Sequence, residues 1–260
     1  MNKKIYFGSN LKMYKTVQET TKYLQELQEY TETIRQNNPD VKLFILPSYT
    51  ALQGASLSTD QNKIQLGAQN MCWEEEGQFT GEISPRMLEE FNISLAMIGH
   101  SERRHVFGES DIEENKKVLM ALKHSFIALL CVGETGEEKE LGKSEEVLRT
   151  QLTVGLSNVS KEAASGVWIA YEPVWSIGTT GIPASAEYAE KMHTVIRDTL
   201  VDIFQETGKE IPVLYGGSVN KSNACELITQ PHIDGLYVGR AAWDAKAFSE
   251  LIQDALNALQ

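Results

Sequence analysis

Eight short apolar runs, separated by longer amphipathic stretches, constrain the fold of this chain more than any other feature of its sequence. Most of the runs are almost continuously apolar, as expected for parallel strands that are covered on both faces. They are Ile5–Asn10, Val41–Leu46, Ile64–Gln69, Leu95–Gly99, Phe126–Val132, Val167–Tyr171, Pro212–Tyr215 and Gly235–Val238. In a chain of 260 residues, this alternation predicts an α/β protein with a single (β/α)8 barrel domain spanning residues 1–260.

The stretches between these runs have the apolar spacing of helices that pack against a sheet. The predicted helices are Thr16–Gln36, Ile112–Lys123, Ser144–Leu156, Ser185–Phe204 and Ala245–Leu259. A serine at position 185 with Glu187 in the first turn is a typical helix start. An open, doubly wound sheet is the alternative, but it predicts a glycine-rich dinucleotide turn after the first strand, and Gly8-Ser9-Asn10 is not one.

Composition excludes several classes of function. The net charge of -12 opposes nucleic-acid binding, and it means that local groups must attract any anionic ligand. The longest apolar run, Phe126–Val132, is too short to cross a bilayer, and Ile5–Phe7 is too short for the core of a signal peptide. Cys72, Cys131 and Cys225 fit neither a disulfide framework nor a zinc site, and Cys131 is expected in the core. We therefore expect a cytoplasmic protein without a membrane, nucleic-acid or metal partner.

Reactive residues follow the first and fourth runs, at the end of a barrel where chemistry takes place. Alternation puts Asn10 and Lys12 on the same side, and a lysine there supplies a charge for a phosphate or an oxyanion. His100 precedes a polar turn and a predicted helix start, which favours a neutral imidazole that donates to a carbonyl oxygen. The alternatives are a solvated lysine and a structural histidine. For Arg103 and Arg104 we expect structural ion pairs.

The sixth run ends directly in Glu172, a poor place for a carboxylate without a partner. Burial makes a carboxylate a stronger base, so Glu172 is a candidate general base. Residues 173–180 follow as a loop that carries Val174, Trp175 and Ile177. Such an apolar loop predicts a lid that excludes water from the site, and a loop packed permanently against a neighbour is the alternative.

Glycines follow the seventh and eighth runs, as Gly216-Gly217-Ser218 and Gly239-Arg240. Glycines let backbone N–H groups approach a ligand closely. In barrels, a phosphate often binds between the loops that follow strands seven and eight. Either glycine motif alone is weak, but the two together at these strands predict a phosphate site.

Several longer motifs, which run from Gly8 to about Ala241, together resemble the triosephosphate isomerase family. They are Asn10-x-Lys12, Gly67-Ala68-Gln69-Asn70, Phe79-Thr80-Gly81-Glu82-Ile83-Ser84, Gly99-His100-Ser101-Glu102-Arg103-Arg104, Cys131-Val132-Gly133-Glu134, Tyr171-Glu172-Pro173-Val174-Trp175-x-Ile177-Gly178-Thr179 and Tyr215-Gly216-Gly217-Ser218-Val219. The family serves as a standard example of a glutamate base, a neutral histidine and a closing loop.

The resemblance implies a role for each of five catalytic residues. Glu172 would move a proton between the carbonyl carbon and its neighbour, and His100 would polarise the carbonyl and shuttle protons between the enediol oxygens. Lys12 would stabilise the enediolate and phosphate charges, with Glu102 as a supporting acid nearby. Asn10 would help to position the substrate.

The resemblance also implies the phosphate contacts, the cofactors and the partners. The substrate-binding residues would be Asn10 and Lys12 together with Gly178, Ser218, Gly239 and Arg240. No metal or organic cofactor is implied, and the substrate would be a small phosphorylated sugar. Residues 69–84 would form a protruding loop that reaches into a partner subunit, which predicts a homodimer with Trp73 buried at its interface.

Some positions differ from the family's usual pattern. Arg240 replaces a second glycine, Ser176 and Thr180 replace an alanine and a glycine in the lid, and Gly181 begins a segment that usually contains lysine. The resemblance implies interconversion of dihydroxyacetone phosphate and D-glyceraldehyde 3-phosphate, as in glycolysis and gluconeogenesis. The altered positions are similar to a branch that acts on tetrulose phosphates, so L-erythrulose 1-phosphate with the same catalytic residues is the alternative. An inactive protein that binds phosphate ligands is a remote third alternative, since Lys12, His100 and Glu172 are all present.

Overall fold

The computed structural model describes residues 4–178 and 181–260, and these residues form the predicted (β/α)8 barrel. The strands are β1 (Ile5–Asn10), β2 (Val41–Leu46), β3 (Gln65–Leu66), β4 (Leu95–Ile98), β5 (Ile127–Val132), β6 (Val167–Tyr171), β7 (Val213–Tyr215) and β8 (Gly235–Val238). All eight predicted strands are therefore present, and each except β3 lies within one residue of its predicted ends.

The sheet is parallel throughout, in the order β3-β2-β1-β8-β7-β6-β5-β4. An isolated bridge between Ala68 and Ala96 joins the two outer strands and brings the barrel close to closure. β3 is two residues long, where the sequence predicted six. It is short because the main chain changes partner: the Gly67 N–H donates to Ile45 on β2 at 3.0 Å, whereas the Ala68 N–H donates to Leu95 on β4 at 2.8 Å.

The described residues also form twelve α-helices between and after the strands. They are α1 (Val17–Tyr30), α2 (Glu32–Asn37), α3 (Leu52–Ser58), α4 (Pro85–Glu89), α5 (Ser101–His105), α6 (Asp111–Lys123), α7 (Gly136–Glu140), α8 (Ser144–Gly155), α9 (Ala186–Phe204), α10 (Glu206–Glu210), α11 (Ala224–Ile228) and α12 (Ala245–Asn257). In this part of the chain, every helix is too short or too polar to cross a membrane.

The first predicted helix, Thr16–Gln36, is divided in two. It begins as predicted, because the Thr16 hydroxyl accepts from the Glu19 N–H and the Glu19 carboxylate accepts from the Thr16 N–H, which is a capping box. The division falls at Thr31, which ends α1 and precedes α2. Its buried hydroxyl donates to the Leu27 carbonyl at 2.6 Å, a back-bond that bends helices.

Two apolar residues near the ends of predicted helices are exposed. Val17 in the first turn of α1 is 46% exposed, and Leu259 is 42% exposed because α12 ends two residues earlier, at Asn257. The predicted start of α9 is confirmed, since the Ser185 side chain accepts from the Tyr188 N–H.

Large side chains fill the interior of the barrel. Tyr6 and Trp168 meet edge to face with ring centroids 4.8 Å apart, and Phe44 stacks on Tyr237 at 5.7 Å. Cys131 lies in the same buried cluster, as predicted, and carries a free thiol. The barrel is therefore a packed core rather than a channel, and the ends of its strands supply the surface on which a site can form.

Candidate active site

A cavity of about 350 Å³ opens at the carboxyl ends of the strands. It brings together eight of the nine predicted site residues, namely Asn10, Lys12, His100, Glu172, Gly178, Ser218, Gly239 and Arg240. The ninth, Glu102, does not line the cavity but forms an ion pair with Lys12. The cavity has the size of a small-ligand site and combines titratable groups with exposed backbone.

Lys12 is held in a strained conformation at the end of β1. Its φ angle is 50°, a left-handed conformation that is uncommon outside glycine and that persists where the surroundings enforce it. Its N–H donates to the Asn10 carboxamide oxygen at 2.7 Å, and its carbonyl accepts from the Gln69 side chain at 2.9 Å. The Trp243 indole donates to the Asn10 carbonyl at 2.9 Å. These bonds direct the Lys12 ammonium to Glu102, at 2.7 Å from Oε1.

The position of His100 determines which ring nitrogen carries a proton. Its Nδ1 caps α5 by accepting from the Glu102 N–H at 3.2 Å, and a nitrogen that accepts a hydrogen bond carries no proton. A neutral imidazole then has its proton on Nε2. That atom lies 3.4 Å from Oε1 of Glu172, so the Nε2–H group is presented to the cavity beside the carboxylate.

Glu172 is 3% exposed, and within residues 4–178 and 181–260 it forms no ion pair with a lysine or an arginine. Its Oε2 accepts from the Ser101 N–H at 3.2 Å. The backbone of Gly133 packs so closely on it that a Cβ added there would lie 1.9 Å from the Glu172 carbonyl oxygen. Burial, reinforced by the Glu172 charge, raises the pKa of the Cys131 thiol well above its usual value, so this neighbour stays neutral.

Glu134 anchors the first part of the predicted lid and had no assigned role in the sequence. Its buried carboxylate accepts from the Trp175 indole at 2.7 Å and from the hydroxyls of Tyr171 and Tyr188 at 3.0 and 2.9 Å. The Lys139 ammonium lies 3.4 Å from the centroid of the Trp175 ring, a cation–π contact. Trp175 is thus half-buried against the body of the barrel. This first part of the segment fits the alternative given above, a loop that is packed against its neighbours, rather than an open lid.

The two ends of the predicted lid meet at the backbone. A 3₁₀ turn follows Pro173 and ends at Ser176. A Cβ added to Gly181 would lie 2.3 Å from the Ser176 carbonyl oxygen, so any side chain at position 181 would collide with the opposite end of the lid. This contact explains why position 181 is a glycine, in a segment that usually contains lysine in the family that the sequence resembles. Residues 179 and 180, which the sequence assigned to the lid, lie outside the described residues.

The predicted phosphate-binding backbone surrounds open space. Chain neighbours aside, a Cβ added to Gly178 or Gly239 would meet no atom of the described residues within 4 Å, so a ligand can reach the main chain at both positions. Ser218 lines the same cavity, after β7. Arg240 begins a 3₁₀ turn after β8, is exposed, and makes no hydrogen bond or ion pair with any described residue. Together with Lys12, it puts two cations at the rim of the cavity of an acidic protein.

Sequence analysis missed Tyr237, which also lines the cavity. Its hydroxyl donates to the Met97 sulfur at 2.9 Å, and burial raises its pKa well above the usual range. The signal was present, since strand alternation puts Tyr237 on the same side as Gly239. Trp243 was also not among the predicted site residues, yet it lines the cavity and packs on Tyr14 with ring centroids 4.4 Å apart.

The predicted ion pairs of Arg103 and Arg104 are confirmed. Arg103 contacts Glu109 at 2.5 Å, and Arg104 pairs with the buried Glu114. Arg104 also donates to the Gly99 carbonyl at 2.8 Å. These contacts lie behind His100 and support the turn that presents it, where Gly99 has a φ of 72°.

Comparison with known proteins gives similarity over nearly the whole chain. The family model for triosephosphate isomerase matches residues 5–255. An L-erythrulose-1-phosphate isomerase from Rhizobium etli is 41% identical over 249 residues, which cover 95% of this chain and 91% of that protein. A triosephosphate isomerase from Dictyoglomus turgidum is 41% identical over 254 residues, which cover 97% and 100%. The crystal structure of triosephosphate isomerase from Bartonella henselae matches with a TM-score of 0.86 and 33% identity, over 96% of this chain and 98% of that one.

Proposed function

Because the chain belongs to the triosephosphate isomerase family, we propose that it isomerises a small phosphorylated ketose, and that this ketose is L-erythrulose 1-phosphate. Relatives that carry this activity in their names include the Rhizobium etli protein and one from Mesorhizobium japonicum, 40% identical over 98% of both chains. This proposal reverses the order in which the sequence ranked the two substrates. Dihydroxyacetone phosphate remains the second candidate, because the Dictyoglomus turgidum triosephosphate isomerase is equally similar at 41% identity.

The observation that carries the proposal is the pairing of a buried carboxylate with the Nε2 atom of a buried imidazole across one cavity. Oε1 of Glu172 and Nε2 of His100 lie 3.4 Å apart. In the proposed reaction, Glu172 removes a proton from the carbon next to the carbonyl. The electrons of that C–H bond form the C=C bond of an enediolate, and the carbonyl oxygen takes up the negative charge. Glu172 then returns the proton to the former carbonyl carbon, and the carbonyl has moved by one position.

The remaining catalytic groups act on charge and orientation. The His100 Nε2–H group donates to the substrate carbonyl and then moves protons between the two enediol oxygens. The Lys12 ammonium stabilises the enediolate and lowers the barrier by electrostatic attraction. Glu102, at 2.7 Å from the Lys12 Nζ, positions that ammonium, and Asn10 fixes the main chain of Lys12 through its side-chain oxygen.

The phosphate fixes the substrate at the other end of the cavity. We assign this role to the N–H groups of Gly178, Ser218 and Gly239, with Arg240 adding a positive charge at the rim. These contacts hold the reacting carbon against Glu172, and such orientation supplies much of the rate enhancement in enzymes. The predicted lid, residues 173–180, would exclude water while the enediolate exists.

A four-carbon substrate needs no change in these roles. L-erythrulose 1-phosphate has the same atoms as dihydroxyacetone phosphate from the phosphate to the carbonyl, and it carries one further hydroxymethyl group on the carbon that loses its proton. Moving the carbonyl from C2 to C3 yields another ketose phosphate rather than an aldose. Asn10 and Tyr237 are polar and line the same cavity as His100. Their side chains can form hydrogen bonds with the added hydroxyl.

We further propose that the protein is a homodimer joined through the loops after β1, β3 and β4. These loops carry apolar side chains that are exposed in the monomer, namely Met13 (94%), Tyr14 (67%), Phe79 (39%), Val106 (71%) and Phe107 (65%). Trp73, which the sequence predicts to be buried at the interface, is already half-buried in the monomer, with its ring 5.3 Å from the Lys116 ammonium. Light scattering on the purified protein would measure the mass directly, and a monomer at micromolar concentration would contradict this assignment.

The experiment that tests the function is a comparison of kcat/KM for L-erythrulose 1-phosphate, dihydroxyacetone phosphate and D-glyceraldehyde 3-phosphate on the same preparation. We expect the tetrulose phosphate to be the best substrate by at least tenfold. Triose turnover near the diffusional ceiling of about 10⁸ M⁻¹s⁻¹, with slow tetrulose turnover, would make the protein a triosephosphate isomerase. Phosphate binding without turnover of any of the three would leave only the role of a binding protein.

A further inference from the structure

Ser176 lies at a point where the loop that carries Glu172 meets the loop after β7. It is fully buried. Its hydroxyl donates to the Pro173 carbonyl at 3.0 Å and accepts from the Ser218 N–H at 3.4 Å. The two bonds connect a residue adjacent to Glu172 with a backbone N–H that lines the cavity. The alanine expected from the family resemblance could form neither bond.

The Ser218 N–H therefore has two possible acceptors, one inside the protein and one on the substrate. A distance of 3.4 Å exceeds the usual range for N–H···O bonds, so the bond to Ser176 is weak. A phosphate oxygen that approached this N–H would form a charge-assisted bond, which is shorter and roughly twice as strong. When the Ser218 N–H exchanges the Ser176 hydroxyl for a phosphate oxygen, the exchange therefore favours phosphate binding. The free energy gained is smaller than it would be without Ser176, because the bond to Ser176 must first be broken.

The surroundings keep the Ser176 hydroxyl in this place. A Cβ added to Gly217 would lie 2.3 Å from the Tyr215 hydroxyl and 2.6 Å from the Ser176 oxygen, so glycine at 217 leaves room for both hydroxyls next to the phosphate-binding backbone. On the other side, the Ser176 carbonyl packs on Gly181. The hydroxyl is thus confined between the two loops, and rotation into solvent would require the loops to separate.

We propose that Ser176 is a positioning residue whose hydroxyl holds the Ser218 N–H in the substrate-free protein and yields it to the substrate phosphate. Ser176 thereby lowers the affinity for phosphate and speeds the release of the phosphorylated product. Because the same hydroxyl donates to the Pro173 carbonyl, the exchange of acceptors at Ser218 is also coupled to the residue that follows the proposed base. This inference rests on the proposed function, because it takes the ligand at Ser218 to be a sugar phosphate.

The test compares Ser176→Ala with wild type in the binding of inorganic phosphate, measured by calorimetry and by competitive inhibition. Removal of the hydroxyl takes away the internal acceptor that competes with phosphate for the Ser218 N–H, so the variant should bind phosphate about two- to tenfold more tightly. KM for the phosphorylated substrate should fall with it, and kcat should not rise. Ser157→Ala is the matched control, because Ser157 is exposed and its side chain has no hydrogen bond to a described residue.

The direction of the change separates this role from a structural one. A serine that merely supports the loops would weaken phosphate binding when removed, so equal or weaker binding by Ser176→Ala would overturn the inference. If the variant does not fold, hydrogen exchange of the Ser218 amide in wild type decides instead. That amide should be protected both without phosphate and with it, and exchange as fast as that of an exposed amide in the free protein would contradict the inference. Absence of turnover by wild type would refute the proposed function alone, since the phosphate measurements do not depend on catalysis.

Discussion

Shortening the proposed base by one methylene group, in Glu172→Asp, tests the catalytic geometry most directly. The carboxylate would retreat by about 1.5 Å, the length of one C–C bond. In the protein, its oxygens lie 3.4 Å from Nε2 of His100 and 3.2 Å from the Ser101 amide nitrogen. After the change both distances approach 5 Å, which is beyond hydrogen bonding. The main chain cannot follow the shorter side chain, because the Glu172 carbonyl is fixed against the backbone of Gly133.

The size of the effect follows from this displacement. A misplacement of about 1 Å in a catalytic group costs roughly 10²-fold in rate, so we expect kcat to fall by about 10² to 10³-fold. This loss corresponds to about 3 to 4 kcal/mol of transition-state stabilisation. Phosphate affinity should stay within about twofold of wild type, because the assigned phosphate contacts are backbone groups and Arg240 rather than the carboxylate.

The assay is steady-state turnover of L-erythrulose 1-phosphate, combined with the inhibition constant of inorganic phosphate. Glu140→Asp is the matched control, since Glu140 is exposed on α7, where shortening should leave both constants unchanged. A Glu172→Asp enzyme that retained more than a third of wild-type kcat would refute the assignment of Glu172 as the base. A parallel loss of phosphate binding would instead indicate that the cavity had collapsed.

Two other residues give predictions about stability and packing. His193 is fully buried, and burial lowers its pKa from 6.5 to about 4. Below pH 6.5 the histidine takes up a proton in the unfolded chain but not in the folded protein, which favours unfolding. The free energy of unfolding should therefore fall by up to about 3 kcal/mol as the pH falls from 6.5 towards 4. Denaturant unfolding of His193→Gln across this range should show a flatter pH dependence, and a slope equal to that of wild type would assign the acid sensitivity to other groups. Gly133→Ala should lose at least about 1 to 3 kcal/mol of stability and most of its activity, because the new Cβ would lie 1.9 Å from the Glu172 carbonyl oxygen. Full activity in that variant would mean that β6 can shift without displacing the base.

The barrel was predictable because its local and global signals agree. Strands covered on both faces are continuously apolar, and this pattern located seven strands to within one residue. The third strand was wrong for a reason that lies outside its own sequence, since the Gly67 and Ala68 N–H groups bond to different neighbouring strands. The break at Thr31 depends on a hydroxyl that bonds back to Leu27, and no periodicity of apolar residues contains that information.

In the site, contacts between residues that are close in sequence could be predicted, and contacts between distant residues could not. Asn10 and Lys12 were predicted together because two residues of strand alternation relate them. The carboxylate of Glu134 gains its role from Trp175 and Tyr188, which lie 41 and 54 residues away, and the fold alone brings them together. The same holds for the bond between Ser176 and Ser218, across 42 residues. Contacts of this kind become visible when the strand ends are placed around one cavity.

Arg240 poses the remaining question of specificity, because it is a charged side chain among the backbone N–H groups that we assign to the phosphate. It is exposed, and it has no hydrogen bond or ion pair with the described residues. A cation in that position attracts any phosphorylated ligand through solvent, and exposed ion pairs contribute only about 0.2 to 1 kcal/mol. Arg240→Ala should therefore raise KM by roughly two- to fivefold for the tetrulose and the triose phosphates alike, with kcat unchanged.

The ionic strength provides the control for that experiment. Near 1 M salt the Debye length falls to about 3 Å, so the difference between Arg240→Ala and wild type should nearly disappear. The ratio of kcat/KM for the two substrates should be the same in both proteins, because a charge that binds only the phosphate cannot distinguish the sugars attached to it. A variant that loses the tetrulose phosphate selectively, at any salt concentration, would show that Arg240 contacts the additional hydroxymethyl group. In that case substrate choice would lie in the loop after β8, and the phosphate would be held by the backbone alone.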